Sequence, residues 1–488
     1  MIFIRFNRQF DFEYDIQGII RSFYPGMELK SQTEGEKEDG YDFLLECDFD
    51  DTDMKLSFYD KEKLIDSESF KRIYTDSLYD RKETKNELKR KLYNILSGFT
   101  GSELPWGTLS GIRPTKITSK LVEDGLDDDK ISEIMKNEYF LSDKKTETSI
   151  DISKREHKIL DKVDYKNGYS LYIGIPFCPS TCLYCSFTSN PIGVFKKRID
   201  DYIDALIKEI EFCSEAYKDR KLCSIYIGGG TPTSLSAEQL DRLLCNISRL
   251  YDTKSVYEFT VEAGRPDSIT MDKLKAIKKY DVTRISINPQ TMKDDTLKLI
   301  GRNHNTEEFL SAYNMARECG FDNINMDFIL GLPNETIDDV KYNMKYVEKL
   351  KPDSLTIHSL AVKRAARLNL EQRMGKKYEI TNTSEMMDVT EETAKKLGLH
   401  PYYLYRQKNM AGNLENVGYA SEGKEGIYNI LIMEEKQTIL ACGAGGSSKM
   451  VSADLNRIDR IENVKDVNMY IDNIDDMIDR KRRYIYGK

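Results

Sequence analysis

Residues 171–187 read LYIGIPFCPSTCLYCSF, and the rest of the chain is interpreted outward from them. Leu171-Tyr172-Ile173-Gly174-Ile175 is an apolar run closed by Pro176, the pattern of a buried strand. Behind it stand Cys178, Cys182 and Cys185 at the spacing C-x3-C-x2-C. Three thiolates in one short loop suit a [4Fe–4S] cluster whose fourth iron stays open to a small molecule. Structural zinc is the rival, but it asks for paired C-x2-C or Cys/His sets totalling four ligands, and no histidine lies in this loop. A reactive loop at the carboxyl end of a parallel strand is where α/β barrels carry their active sites.

Downstream, Leu222-Cys223-Ser224-Ile225-Tyr226-Ile227 again reads as a strand and runs into Gly228-Gly229-Gly230-Thr231-Pro232-Thr233. Glycines there let the backbone approach a ligand with its N–H and C=O groups free, although a glycine run alone is also the mark of a plain turn. Between residues 166 and 375 strand and amphipathic stretch alternate, which predicts parallel βα units. The predicted strands are 171–175, 222–228, 257–263, 284–289, 323–330 and 354–361, enough for a partial (β/α)6 barrel. Phe259 and Val261 alternate with Thr260 and Glu262; Ile285 and Ile287 alternate with Ser286, Asn288 and Gln290; Met326, Phe328 and Leu330 alternate with Asn325 and Asp327. Period-two alternation sends the two sets to opposite faces, so Glu262, Gln290 and Asp327 predict a polar ligand inside the barrel.

With these motifs in place, the chain resembles the radical S-adenosylmethionine (SAM) enzymes. GGGTPT after the cysteine strand is similar to the oxygen-independent coproporphyrinogen III dehydrogenase-like (HemN/HemW) group. The resemblance implies that SAM chelates the open iron, that an electron from the cluster cleaves its sulfonium, and that the resulting radical abstracts a hydrogen atom. Position by position, it implies that Cys178, Cys182 and Cys185 carry the cluster and that Tyr172, Gly229 and Glu262 position SAM. Gly230, Thr231, Gln290, Arg302, Asp327 and Ala361 match positions that hold a second SAM in the family's dehydrogenases. The segments 104–117, 182–195, 358–364 and 400–420 look most like the HemZ branch.

The implied function is oxidative decarboxylation of porphyrinogen propionates to vinyls in haem biosynthesis, with a tetrapyrrole substrate and a reductant such as flavodoxin or ferredoxin. Phe187 departs from the dehydrogenases, which have a fourth cysteine there. Two alternatives stay open: a haem-binding chaperone of the HemW type, although its H-N-x-x-Y-W motif is missing, and another radical reaction on a tetrapyrrole, such as methyl transfer or ring opening. Lys363, Arg364, Arg367 and Arg406 are cations available to a tetracarboxylate.

A chain of 488 residues exceeds one hydrophobic core. The expected division is an N-terminal α+β domain at 1–165, the barrel at 166–375 and a C-terminal α+β extension at 376–488. With 73 basic and 82 acidic residues the net charge is −9, which argues against nucleic-acid binding. No run approaches the ~18 apolar residues of a membrane span, no signal peptide opens the chain, and the cysteines outside the motif show no disulfide framework. These traits point to the cytoplasm. At the N-terminus we expect a strand at 2–6, a helix at 14–24, a hairpin of 42–49 with 54–60, a loop at 33–40 and a basic helix from Arg81. Trp106 reads as a core residue or a cover for the cleft. Toward the C-terminus we expect a helix near 384–397, a strand in YYLYR, a hairpin over 426–442 turning near Glu434, and a helix at 466–482. Cys442–Ser448 forms a glycine-rich loop that resembles the family's adenosine-facing strand end.

Overall fold

The computed structural model describes residues 1–9, 11–33, 40–75, 78–407, 410, 414–452 and 457–487. The chain forms two compact units, Met1–Lys154 with a short segment starting at Arg406, and Arg155 onward. In the first unit, β1 (Ile2–Phe6) lies between β2 (Leu29–Thr33) and β3 (Phe43–Phe49), followed by β4 (Asp53–Asp60) and β5 (Lys63–Lys71). Strands β3 and β4 pair antiparallel, as the expected hairpin requires. Helices α1 (Glu13–Phe23) and α2 (Arg81–Thr100) bury Ile16, Ile19, Ile20, Leu88, Leu92 and Leu96 in the core of this sheet. Asp80 caps α2 by accepting from Glu83 N, and Gly101 closes it in the left-handed conformation. Trp106 is buried, with Lys145 Nζ 6.0 Å above its ring. Most of the expected loop at 33–40 lies outside the described residues.

The second unit is built on one eleven-stranded sheet. The six strands expected from alternation are β6 (Tyr169–Ile175), β7 (Leu222–Gly229), β8 (Glu258–Glu262), β9 (Arg284–Ser286), β10 (Ile324–Leu330) and β11 (Ser354–Ser359). They run parallel in that spatial order and make the partial barrel. Antiparallel strands β12 (His400–Tyr405) and β13 (Asn416–Ala420) continue the sheet beyond β11. On the other side β14 (Thr438–Cys442) pairs parallel with β6, and β15 (Ser447–Val451) and β16 (Ile458–Glu462) follow antiparallel. The segment expected as a C-terminal extension therefore continues the sheet of the barrel on both of its sides. The cysteine strand β6 sits between β7 and β14, with Tyr172 opposite Tyr226 and Ala441.

Three expectations are corrected here. Residues 426–442 are not a hairpin: helix α4 (Ile427–Glu434) ends at Glu435, φ 53°, and leads into β14. Both stretches are mostly apolar, so neither carries the alternation that separates strand from helix, and the parallel β14 cannot be reached by a tight turn. The helix expected at 466–482 is broken at Asn473 into α5 (Val467–Asp472) and α6 (Ile474–Tyr486). The fourth strand stops at Ser286; Gln290, with φ 68°, meets Phe328 only through an isolated bridge.

A buried ion pair fastens the end of the chain. Glu209, on helix α3 (Ile199–Ala216), and Lys481, on α6, are both fully buried with Oε1 and Nζ 2.7 Å apart. Glu209 also accepts from Asn463 Nδ2 at 2.8 Å, Gly443 N at 2.8 Å and Tyr470 OH at 2.6 Å. Every acceptor site of the carboxylate is thus occupied by a buried donor.

Candidate active site

Every second residue of the parallel strands faces the barrel interior, and that face is polar. Ser170, Ser224, Thr260, Ser286, Asn325 and Thr356 are all buried. They bond to one another or to neighbours: Ser224 Oγ donates to Ser170 Oγ at 2.8 Å, Asn325 Nδ2 to Ser286 Oγ at 3.0 Å, and Thr356 Oγ1 to Asn325 Oδ1 at 3.1 Å. Toward the carboxyl ends this layer gives way to titratable groups.

The glycine run is pressed onto the backbone that enters the cysteine loop. Gly230 N donates to Ile175 O and Thr231 N to Phe177 O, each at 2.7 Å. A Cβ at Gly230 would lie 2.6 Å from Phe177 O, so only glycine permits this approach. Thr231 Oγ1 reaches Cys178 Sγ at 3.4 Å. None of the three loop cysteines is in a disulfide. Among the described residues no three Cys, His, Asp or Glu side chains converge as a single-ion site would require. The three thiols are nonetheless near enough to act on one another. Burial, followed by the charges of Cys182 and Cys185, pushes the Cys178 thiol up to about 11 despite the Thr231 contact; Cys185 is raised chiefly by burial.

Beside the loop, Tyr226 and Tyr428 stack with ring centroids 4.4 Å apart, and Tyr172 lies alongside this pair at 6.3 and 6.2 Å. Tyr226 OH donates to Glu262 Oε1 at 2.5 Å. Burial pushes the Glu262 carboxyl up to about 7, against the lowering effect of Tyr226. The absent side chain of Gly228 makes room for that carboxylate, whose Cδ would lie 3.0 Å from a Cβ there. Gly229, φ 104°, passes the Tyr172 hydroxyl.

Further round the barrel, Gln290 and Asp327 are joined through backbone, Gln290 N donating to Asp327 O at 3.0 Å. Gln290 Oε1 is buried without a partner. Asp327 accepts from Asn325 Nδ2 at 2.6 Å and faces His358 Nε2 at 3.7 Å. Burial would raise its carboxyl, but the His358 and Asn325 contacts hold it below the usual carboxylate range. Arg302 donates to the carbonyls of Asn288 and Gly264, the latter at 3.2 Å, and its Nε is buried without a partner. Ala361 lies past β11, half-buried and bridged to Met410.

Of the expected cations, Arg406 is corrected. It belongs to the first unit, buried, donating through Nη1 to Leu109 O. Arg367 pairs with Glu371 at 3.2 Å, Lys363 is half-buried, and Arg364 is exposed. Phe187 is 76% exposed beyond the third cysteine.

Tyr226, Tyr428, His358 and the pair Arg265–Asp267 were missed in the sequence. Tyr226 shares the period-two face of Ser224, which would have found it. Tyr428 comes from a helix read as a strand and carried no such signal.

Comparison with protein-family models matches residues 172–347 to the radical SAM superfamily. The chain is 38% identical, over 478 residues, to the oxygen-independent coproporphyrinogen-III oxidase-like protein HemZ of Bacillus subtilis (strain 168), covering 96% of this chain and 95% of that protein. It is 32% identical over 305 residues to the heme chaperone HemW of the same organism, 62% of this chain and 75% of HemW. Among solved structures, coproporphyrinogen III oxidase (HemN) from Escherichia coli, a radical SAM enzyme, superposes with a TM-score of 0.50 at 23% identity. That match covers 66% of this chain and 73% of HemN and shows a common fold.

Proposed function

Because the chain belongs to the radical SAM superfamily, within the oxygen-independent coproporphyrinogen-III oxidase-like group that includes HemZ, we propose that it converts porphyrinogen propionates to vinyls with release of carbon dioxide. The superfamily's cofactors, a [4Fe–4S] cluster and SAM, supply hydrogen-atom abstraction at an unactivated carbon when bound. Cys178, Cys182 and Cys185 would hold the cluster. Their chemistry fits it: three thiols outside any disulfide stand in one short loop, with Thr231 Oγ1 3.4 Å from the first and a guanidinium N–H on the second.

The observation that carries the reading is a pair of orphaned buried atoms further round the barrel, the Gln290 acceptor and the Arg302 donor. Unpaired buried polar groups cost about 1–3 kcal/mol each, and a zwitterionic ligand bearing hydroxyls and a carboxylate would satisfy both. Glu262, steadied by Tyr226, offers an acceptor to the ammonium or ribose of SAM, while Gly229 and Gly230 let backbone approach it. Asp327, held ionised beside His358, keeps one negative charge within the polar interior. Each propionate converted gives up two electrons, one with the hydrogen atom and one to an acceptor. A low-potential flavodoxin or ferredoxin would supply the cluster.

The test is anaerobic reconstitution followed by incubation with SAM, dithionite and coproporphyrinogen III. Mass spectrometry should find 5′-deoxyadenosine and a product lighter by carbon dioxide and two hydrogens per propionate. Cys178→Ala, Cys182→Ala and Cys185→Ala should each abolish both along with the iron and sulfide. Stoichiometric haem binding without turnover would favour a chaperone instead; S-adenosylhomocysteine or an opened ring would indicate another radical reaction.

A further inference from the structure

Arg265 is buried, only 3% exposed, and follows the carboxyl end of β8 by three residues. Its five N–H groups all have partners. Nε donates to Asp267 Oδ1 at 2.9 Å, and Nη2 to Asp267 Oδ2 at 2.7 Å and Ser180 Oγ at 3.1 Å. Nη1 donates to Ser180 O at 3.3 Å and to Cys182 Sγ at 3.4 Å. Ser180 lies between the first two cysteines of the loop, and its Oγ in turn donates to Gly301 O at 3.0 Å. The guanidinium therefore spans the loop from inside, and only a planar fork can make this set of bonds. Asp267, two residues on and with its side chain 13% exposed, is its counter-ion.

We propose that Arg265 is a tuning residue for the iron–sulfur centre: its N–H on the Cys182 sulfur, offset by Asp267, sets the potential at which the cluster accepts an electron. This rests on the cluster assignment made above. Reduction adds negative charge that is shared onto the ligand sulfurs, so a cationic donor at one sulfur favours the reduced state and raises the potential. The Asp267 carboxylate weakens that effect. The two residues consequently pull the potential in opposite directions, although both belong to one hydrogen-bonded unit.

The experiment is an EPR-monitored redox titration of reconstituted protein with dithionite, with iron and sulfide counted in every sample. Arg265→Met should disfavour reduction at least tenfold, 59 mV downward for one electron. Asp267→Asn should shift it upward, and Arg265→Lys, which keeps charge but not the fork, should fall between Arg265→Met and the unaltered protein. Shifts of the same sign in Arg265→Met and Asp267→Asn, or no shift in either at full cluster content, would overturn the proposal. If Arg265→Met fails to hold a cluster, Asp267→Asn decides alone: an upward shift supports the role, and an unchanged or lower potential refutes it. Wild-type protein that takes up no cluster would instead defeat the cofactor assignment, a result this titration distinguishes.

Discussion

Lys481→Met probes the buried pair that ties the last helix to α3. The substitution removes one of four donors to Glu209 and leaves a carboxylate with no access to water, bonded still to Asn463, Gly443 and Tyr470. Breaking one side of a buried pair costs about 3–5 kcal/mol, and the surviving bonds place this case near the lower figure, about 3. Glu209→Leu is worse. It leaves the Lys481 ammonium with only Asn463 Oδ1, at 3.0 Å, and takes the acceptor from three further donors at about 1–3 kcal/mol each, for a cost of at least about 5. Restoring hydrophobic character on both sides does not rescue the site, because Gly443 N and Tyr470 OH stay unpaired; the double variant should resemble Glu209→Leu rather than wild type. Since every 1.4 kcal/mol is tenfold, hydrogen exchange of α6 amides should quicken about a hundredfold in Lys481→Met. Exchange within threefold of wild type, or a double variant as protected as wild type, would refute the account.

Two further outcomes are expected. Glu335 accepts from Thr291 Oγ1 at 2.6 Å, and burial pushes its carboxyl up to about 7. The unfolded chain ionises first, near the ordinary 4.5, so both states are protonated below that pH and stability falls as pH rises toward 7, by up to about 1.4 kcal/mol per unit. Glu335→Gln should reduce the difference in melting temperature between pH 5 and pH 7, and an unaltered difference would exclude the residue as its source. Gly230→Ala, whose Cβ meets Phe177 O, should displace the cysteine loop and lower iron and sulfide after reconstitution; a full complement would show that the loop tolerates the shift.

The parallel strands were legible from short apolar runs, which in the third, fourth and fifth alternate with polar residues. The structure starts and ends them within a few residues of the expected bounds and gathers Thr231 with Cys178, Gly229 with Tyr172, and Gln290 with Asp327. What escaped was set by distance along the chain. Tyr428 reaches the Tyr172 stack from a helix more than two hundred residues away, and nothing in IYNILIME distinguishes a helix from a strand. Arg265 stands three residues from an expected ligand, but its aim at Cys182 depends on the turn begun by Pro266. Asn473 divides the last helix without a glycine or proline to announce it.

The parallel pairing of β14 with β6 has a consequence for the order in which the molecule is made. Strand β6 exposes one row of backbone donors and acceptors from its emergence at the ribosome until residues 438–442 follow, more than two hundred and fifty residues later. For most of that interval, once β7 has followed, the loop with the three cysteines is already synthesised and its strand is flanked on one side only, by β7. Loading iron and sulfur before translation ends would act on an open edge, whereas loading afterwards would act on a strand seated between two neighbours. The wait also leaves a bare strand edge for a second nascent chain to pair with, so slow translation of the last third of the message should favour aggregation over folding.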